Sequence, residues 1–323
     1  MPQTLVIALG GNAITRPGEP GTIPQQFAHT AETLERLLPI FQTDHRLVIT
    51  HGNGPQIGNI LIRVEEGEHR VPPLPLDTCV ADSQGGMGYM IQRLAAELFR
   101  RERLRRAAAT VITQVLVDKD DPEFANPTKP IGSFFSAEQT ERLRLEKPHW
   151  KMREIERGRF RRVVPSPRPL DVLEKDVISD LAEGGAVAVA CGGGGIPVRW
   201  EKDSLVGVEA VIDKDRASSL LATQIRAHKL IIVTSVERVA IRFRQPDQQW
   251  LDTVTVAQAR EFLAAGEFPP GSMGPKIEAA ISAGEAVGIA QFFEADLDQL
   301  FAGTEEEVAT KLVGGLAFAD QAQ

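Results

Sequence analysis

Short apolar runs alternate along the chain with longer amphipathic ones. Runs rich in Val, Ile and Leu at 4–9 (TLVIAL), 46–50 (RLVIT), 109–117 (ATVITQVLV), 186–191 (AVAVAC) and 229–235 (KLIIVTS) predict strands, each too short for a helix. Helical periodicity predicts helices near 24–42, 55–67, 83–104, 172–183, 215–227, 255–265 and 275–284. The alternation implies an α/β fold with a mainly parallel sheet covered by helices on both faces. Residues 118–170 break the rhythm. They contain Pro122, Pro127, Pro130, Pro148, Pro165, Pro167 and Pro169, and no convincing core strand. Between 147 and 168, eight basic residues face only Glu154 and Glu156. An excursion that long is expected to be a lid or subdomain rather than a plain connection. Periodicity is lost again at VRWEKDSLVG, which places a domain boundary near 200–207.

Three predicted strands end in glycine-rich turns: VIALGGNA (6–13), VITHGNGPQIG (48–58) and VAVACGGGGIP (187–197). Glycine lets the backbone approach a ligand closely and turn its N–H groups inward. In open α/β sheets, ligands bind at the carboxyl ends of the strands. Three such turns on one edge point to an anion site, and Pro55 opens a helix at the second. The P-loop spacing is absent, and GNGPQIG misses the dinucleotide Gly-x-Gly-x-x-Gly spacing by one residue.

Lysines stand where lysine is not the expected residue. In PGSMGPKIEAA (270–280), Pro275 suits a first helical position and Lys276 follows it, although a helix N-terminus already carries partial positive charge. An anion shared by the helix end and the lysine would resolve the conflict. In GVEAVIDKDRASSLLA (207–222), Asp213-Lys214-Asp215 precedes a helix. Extended geometry would point the two aspartates one way and the lysine the other, with Asp215 a candidate N-cap. Lys129 is held between two prolines in NPTKPIG (126–132). Lysines, glycine turns and an aspartate suit phosphoryl transfer, where catalysis is mostly positioning and charge stabilisation. Magnesium would bridge the nucleotide phosphates, held chiefly by phosphate oxygens and water, so no protein metal ligands are assigned.

Composition narrows the classes. With 36 basic and 44 acidic residues the net charge is −8, which argues against nucleic acid or an anionic membrane as the main partner. The chain's 42% hydrophobic and 25% charged content is that of a globular protein. No apolar run approaches membrane-spanning length, no signal peptide is evident, and the two distant cysteines, Cys79 and Cys191, fit a reducing cytoplasm. The histidines show no metal-ligand spacing, and His51 is expected to be a packed strand-end residue. No Gly-x-Ser-x-Gly elbow supports a serine hydrolase.

ALGGNA (8–13), HGNGPQIGN (51–59), PLDTCVA (75–81), NPTKPIG (126–132), VVPSP (163–167), CGGGGIPV (191–198), GVEAVIDKD (207–215) and PGSMGPKIEAAI (270–281) together resemble the carbamate kinases of the amino acid kinase superfamily. The match runs in order from about residue 4 to 285. The resemblance implies a three-layer α/β/α sandwich, a cytoplasmic homodimer and the reaction ATP + carbamate ⇌ ADP + carbamoyl phosphate with Mg²⁺, in arginine and carbamoyl phosphate metabolism. It implies an acyl-phosphate-binding and dimerisation domain over 1–206, with 118–170 protruding, and a nucleotide-binding domain over 207–323. Gly10, Gly11, Asn12, Gly52, Asn53, Gly54, Gly193 and Gly194 would surround the carbamate or the transferred phosphoryl group. Lys214 and Lys276 would stabilise its charge, Asp215 would orient them, and Lys129 would reach in from the protrusion. Asp213, Thr234, Ser235, Val236, Met273 and Pro275 would hold the nucleotide. The sequence departs from the family at RGRFRR (157–162), SVERVAI (235–241) and the C-terminal 288–313. Two alternatives stay open: a same-fold kinase of another small carboxylate, and a non-catalytic nucleotide-binding regulator.

Overall fold

The computed structural model describes residues 2–16, 18–233, 239–251, 254–269, 273–287, 291–292 and 316–317. Its elements run β1 (Thr4–Leu9), α1 (Ile23–Arg36), α2 (Leu38–Phe41), β2 (Arg46–His51), α3 (Gly54–Gly67), α4 (Leu76–Arg101), β3 (Ala108–Thr110) and β4 (Gln114–Val117). There follow β5 (Lys129–Phe135), α5 (Ala137–Glu146), β6 (Lys151–Glu156), β7 (Arg159–Val164), β8 (Pro169–Val172), α6 (Lys175–Glu183) and β9 (Val187–Val189). Then come β10 (Ile196–Glu201), β11 (Ser204–Gly207), α7 (Lys214–Gln224), β12 (Lys229–Val233), α8 (Val256–Ala264) and α9 (Met273–Val287).

The central sheet has the order β12-β1-β2-β9-β3, and every pairing in it is parallel. Its strands read as unbroken apolar runs because both faces are buried. Alternation along each strand divides the side chains between two cores. Val6, Ala8, Val48, Ala188, Leu230 and Ile232 pack on Ile178 of α6, Leu221 of α7 and Ile277 of α9. Leu5, Ile7, Leu9, Leu47, Ile49, Val187 and Ile231 pack on Leu34 of α1, Phe41 of α2 and Leu98 and Phe99 of α4. Each Val, Leu, Ile or Phe side chain among them contributes about 1.5–3 kcal/mol on burial. The result is the expected three-layer α/β/α arrangement.

A second sheet, β11-β10-β4-β8, extends from this body, and a three-stranded antiparallel sheet, β5-β7-β6, forms the protrusion. The strands β5, β6 and β7 correct the reading of 118–170 as strand-poor. Most of β6 is exposed and charged (KMREIE), so its hydrophobic signal is weak. The strand at Pro169–Val172 occupies the start of the helix expected over 172–183. Ile131 of β5 and Val164 of β7 anchor the protrusion to Ile57 and Leu61 of α3 and to Cys79 and Val80 of α4.

Other boundaries shift for local reasons. The run 109–117 splits into β3 and β4 because Gln84 captures the backbone between them, accepting from Thr113 N at 2.8 Å and donating to Thr113 O at 3.1 Å. The helix expected over 24–42 breaks at Leu37, ahead of Pro39, whose ring cannot continue it. The helix expected from 83 begins at Leu76. VRWEKDSLVG, read as a stretch without periodicity, is an antiparallel hairpin in which Arg199 pairs with Val206.

Candidate functional site

The carboxyl ends of β1, β2 and β9 open onto one cavity of about 700 Å³. Gly11, Gly52, Asn53, Gly54 and Gly193 form its glycine-rich floor, Asp213, Lys214 and Asp215 one wall, and Lys129, Ile131, Gly132 and Arg161 of the protrusion its roof.

The turn after β9 explains its glycines. Cys191, Gly193, Gly194 and Gly195 all have positive φ, a conformation that L side chains resist. A Cβ on Gly193 would lie 2.2 Å from Asn53 Nδ2, and one on Gly194 would lie 2.3 Å from the Ile212 carbonyl. The turn therefore packs directly beneath the segment that carries Ile212 and Asp213. Gln84 Nε2 donates to the Gly192 carbonyl at 3.0 Å, and Asn53 Nδ2 donates to Ser83 Oγ at 2.8 Å. His51 is buried beside this turn. Its Nδ1 lies 3.0 Å from the Gly52 carbonyl, so Nδ1 carries the proton and donates. Burial, together with the positive charge of Lys214, pushes its pKa down to about 4, so the ring is neutral. That is the packed strand-end role expected of it.

Charge is concentrated at the start of α7. Asp213, not Asp215, caps this helix: its Oδ1 accepts from Asp215 N at 3.0 Å and Arg216 N at 3.3 Å. The DKD run is a helix entrance rather than an extended segment, so the expected alternation does not hold. The other oxygen of Asp213 accepts from Lys129 Nζ at 3.1 Å, tying the protrusion to the helix end. Asp215, 4% exposed, holds two lysines on separate oxygens. Lys276 Nζ donates to Oδ2 at 2.8 Å, and Lys214 Nζ lies 2.6 Å from Oδ1. The Lys214 approach lacks hydrogen-bond geometry, so this buried ammonium and this buried oxygen are both left without a hydrogen-bond partner.

These contacts tune the groups. Burial pushes the Asp215 carboxyl up, but Lys214 and Lys276 overcome it and hold the pKa near 2. Asp213 is likewise lowered, burial being outweighed by Lys129 and the helix N–H groups. Burial lowers Lys214 below the ordinary lysine range against the pull of Asp215, with Lys276 adding to the depression. An anion entering the cavity would complete its hydrogen bonding and oppose that depression. Two hydroxyls fix the base of α7: Ser218 donates to the Lys214 carbonyl at 2.7 Å, so Thr50 donates to Ser218 Oγ at 2.6 Å.

Some expected residues lie elsewhere. Gly10 shapes the turn after β1, with its N–H on the Val233 carbonyl at 3.1 Å, and does not line the cavity. Gly194 also supports from below. Lys276 reaches the site through Asp215. Met273 and Pro275 stand in the first turn of α9, so Pro275 is its third residue rather than its first. Thr234, Ser235, Val236 and the side chain of Asn12 lie outside the described residues. Sequence reading missed the cap at Asp213 and the clamp at Gln84. It also missed Arg161 as a cavity residue, because the sequence does not show which arginine of β7 reaches the cavity.

The description "Amino acid kinase family" fits residues 3–290 of the chain. The chain is 46% identical over 282 residues to carbamate kinase 2 of Staphylococcus aureus (strain Mu50 / ATCC 700699), covering 87% of this chain and 90% of the relative. Among solved structures it is similar to carbamate kinase from Giardia lamblia bound to AMP-PNP, with a TM-score of 0.89, 34% identity and 98% of each chain covered. A protein from Aeropyrum pernix K1 matches with a TM-score of 0.86 and 39% identity, over 98% of this chain and 99% of that one.

Proposed function

The chain belongs to the amino acid kinase family, and from that premise we propose that its cavity carries out ATP + carbamate ⇌ ADP + carbamoyl phosphate. It is a phosphotransferase, and its likeness to carbamate kinases spans most of its length. The observation that carries the reading is Asp215 with Lys214 on one oxygen and Lys276 on the other, at the head of α7.

In the forward direction a carbamate oxygen attacks the γ-phosphorus of ATP in line, and the bond to the β-phosphate oxygen breaks. No proton need be relayed, because both the attacking and the leaving oxygen are anionic. The chain's task is to align the two anions and to offset the charge that spreads over the moving phosphoryl group. Lys214 and Lys276 supply positive charge at a separation set by their shared carboxylate. N–H groups of the glycine turns add donors that need no reorganisation. Lys129 approaches from the roof, where Asp213 parks it until substrate arrives. Gly11, Asn12, Gly52, Asn53, Gly54 and Gly193 surround the small substrate. The nucleotide extends over α7 and α9 toward Met273 and Pro275; the family resemblance also assigns it Thr234, Ser235 and Val236, which lie outside the described residues. Residues after about 207 thus serve mainly the nucleotide, and those before it the acyl phosphate.

Magnesium would enter with the nucleotide and neutralise its phosphate oxygens. Both site aspartates already engage lysines. Phosphate oxygens and water therefore suit the ion better than protein ligands. We further propose a homodimer acting in arginine and carbamoyl phosphate metabolism in the cytoplasm. Among the described residues no helix is long and apolar enough to cross a membrane. The test is ATP formation from ADP, Mg²⁺ and carbamoyl phosphate. Turnover that other acyl phosphates do not match supports the reading. Folded protein that binds ADP without turnover refutes it and favours a regulator.

A further inference from the structure

Three cationic side chains line the described cavity: Lys129, Lys214 and Arg161. Each lysine faces a carboxylate, Lys129 facing Asp213 at 3.1 Å and Lys214 facing Asp215 at 2.6 Å. The remaining lining carboxylate, Glu19, is taken by His29 Nε2 at 2.6 Å. Arg161 has no carboxylate partner among the described residues. Its Nε donates to the Gly132 carbonyl at 3.1 Å, and its guanidinium lies 5.2 Å from the centre of the Phe134 ring. Among the described residues its remaining guanidinium donors are uncommitted. Its neighbours on β7 differ: Arg159 pairs with Glu156, and Arg162 lies 3.6 Å from Glu209. The missing counter-charge therefore belongs to the one arginine of this strand that lines the cavity. The group is half-buried, and burial lowers its pKa with no acid opposing the shift.

We propose that Arg161 is a substrate-binding residue whose guanidinium grips the oxygens of the small acyl-phosphate substrate. This rests on the phosphotransferase reading above and extends it to the roof of the site. A planar guanidinium fork matches phosphate and carboxylate oxygens bidentately, as a lysine cannot. Its place selects the small substrate over the nucleotide. Arg161 is fixed to Gly132, which packs against Gly58 of α3, with Gly132 Cα 3.5 Å from where a Gly58 Cβ would stand. The lysines assigned to the moving phosphoryl group lie instead at the heads of α7 and α9. Stacking on Phe134 and the bond to Gly132 hold the fork in place before substrate enters.

The test compares Arg161→Ala and Arg161→Lys with Arg159→Ala. Arg159 also stacks on Phe134, at 3.9 Å, but is exposed and already paired, so its removal reports loosening of the roof alone. Binding of phosphonoacetamide, a stable analogue of carbamoyl phosphate, and of ADP is measured by titration calorimetry. Losing charge-assisted hydrogen bonds predicts that Arg161→Ala weakens phosphonoacetamide roughly tenfold to a hundredfold. Arg161→Lys should fall between it and the wild type. ADP affinity should stay within about twofold in all three, as should phosphonoacetamide affinity in Arg159→Ala. Unchanged phosphonoacetamide binding in Arg161→Ala, an equal loss for ADP, or the same loss in Arg159→Ala would overturn the proposal. Because the readout is binding, it is independent of wild-type turnover, whose absence would instead refute the kinase reading.

Discussion

Asp215 uses its two oxygens for two lysines, and that sharing sets what each substitution should do. Lys214→Ala leaves Asp215 paired with Lys276, so the fold should persist while one charge stabiliser is lost. We expect kcat to fall by roughly 10²–10³, with an unchanged circular dichroism spectrum. Near-normal kcat would remove Lys214 from the mechanism. The depressed pKa of Lys214 gives a second expectation. As pH rises, the ammonium should lose its proton below the ordinary lysine value of 10.5. The alkaline limb of kcat/KM, which reports the free enzyme, should fall correspondingly early. In Lys214→Arg, whatever its absolute rate, that limb should move up, because guanidinium does not titrate there. An unmoved limb would assign it to another group. These lysines were legible in the sequence because each occupied an awkward setting, between prolines or at a helix entrance. The cap at Asp213 was not, since a shift of two residues in the cap position decides which aspartate holds the helix N–H groups.

Among the elements, the turn after β9 bears most directly on the site. Gly194 has φ +96° and its missing Cβ faces backbone, the Ile212 carbonyl, rather than a side chain that could swing aside. Gly194→Ala should therefore both strain the turn and displace the segment carrying Ile212 and Asp213. A cost of about 2 kcal/mol or more is expected, seen as a lower urea midpoint together with reduced activity. Gly85→Ala on α4, where nothing lies within 4 Å, serves as the contrast and should leave the midpoint unchanged or higher. Most of the five-strand sheet was readable from sequence because its central strands, buried on both faces, are apolar over most of their length. The protrusion was not. Its strands present one weakly apolar face to α3 and another to solvent, and charged residues such as Arg153, Glu154 and Glu156 mask the alternation. The split between β3 and β4 depends on Gln84 from another element, and no window along the strand itself contains it.

At the level of the whole molecule, the buried neutral His51 links stability to acid. Its ring has a pKa near 4 in the fold against an ordinary 6.5, so between these values the unfolded chain binds a proton that the folded one does not. Stability then rises with pH through this window. The His51 contribution is complete above about pH 6.5 and is lost as pH falls to about 4, an effect on the order of 3 kcal/mol. Asp215 acts in a lower window, from 3.8 down to about 2, with the same sign, because its folded pKa is also depressed. Acid should thus weaken the molecule in two steps, the first at the floor of the cavity and the second at the lysine clamp. Urea denaturation measured across pH 4 to 7 tests the first. In His51→Gln, which cannot titrate, the slope of unfolding free energy against pH should flatten by about one proton between pH 4.5 and 6, even if the variant is less stable throughout. A slope equal to that of the wild type would mean that His51 is protonated in the fold, and Nε2 would then have to carry a charge against the Gly192 turn.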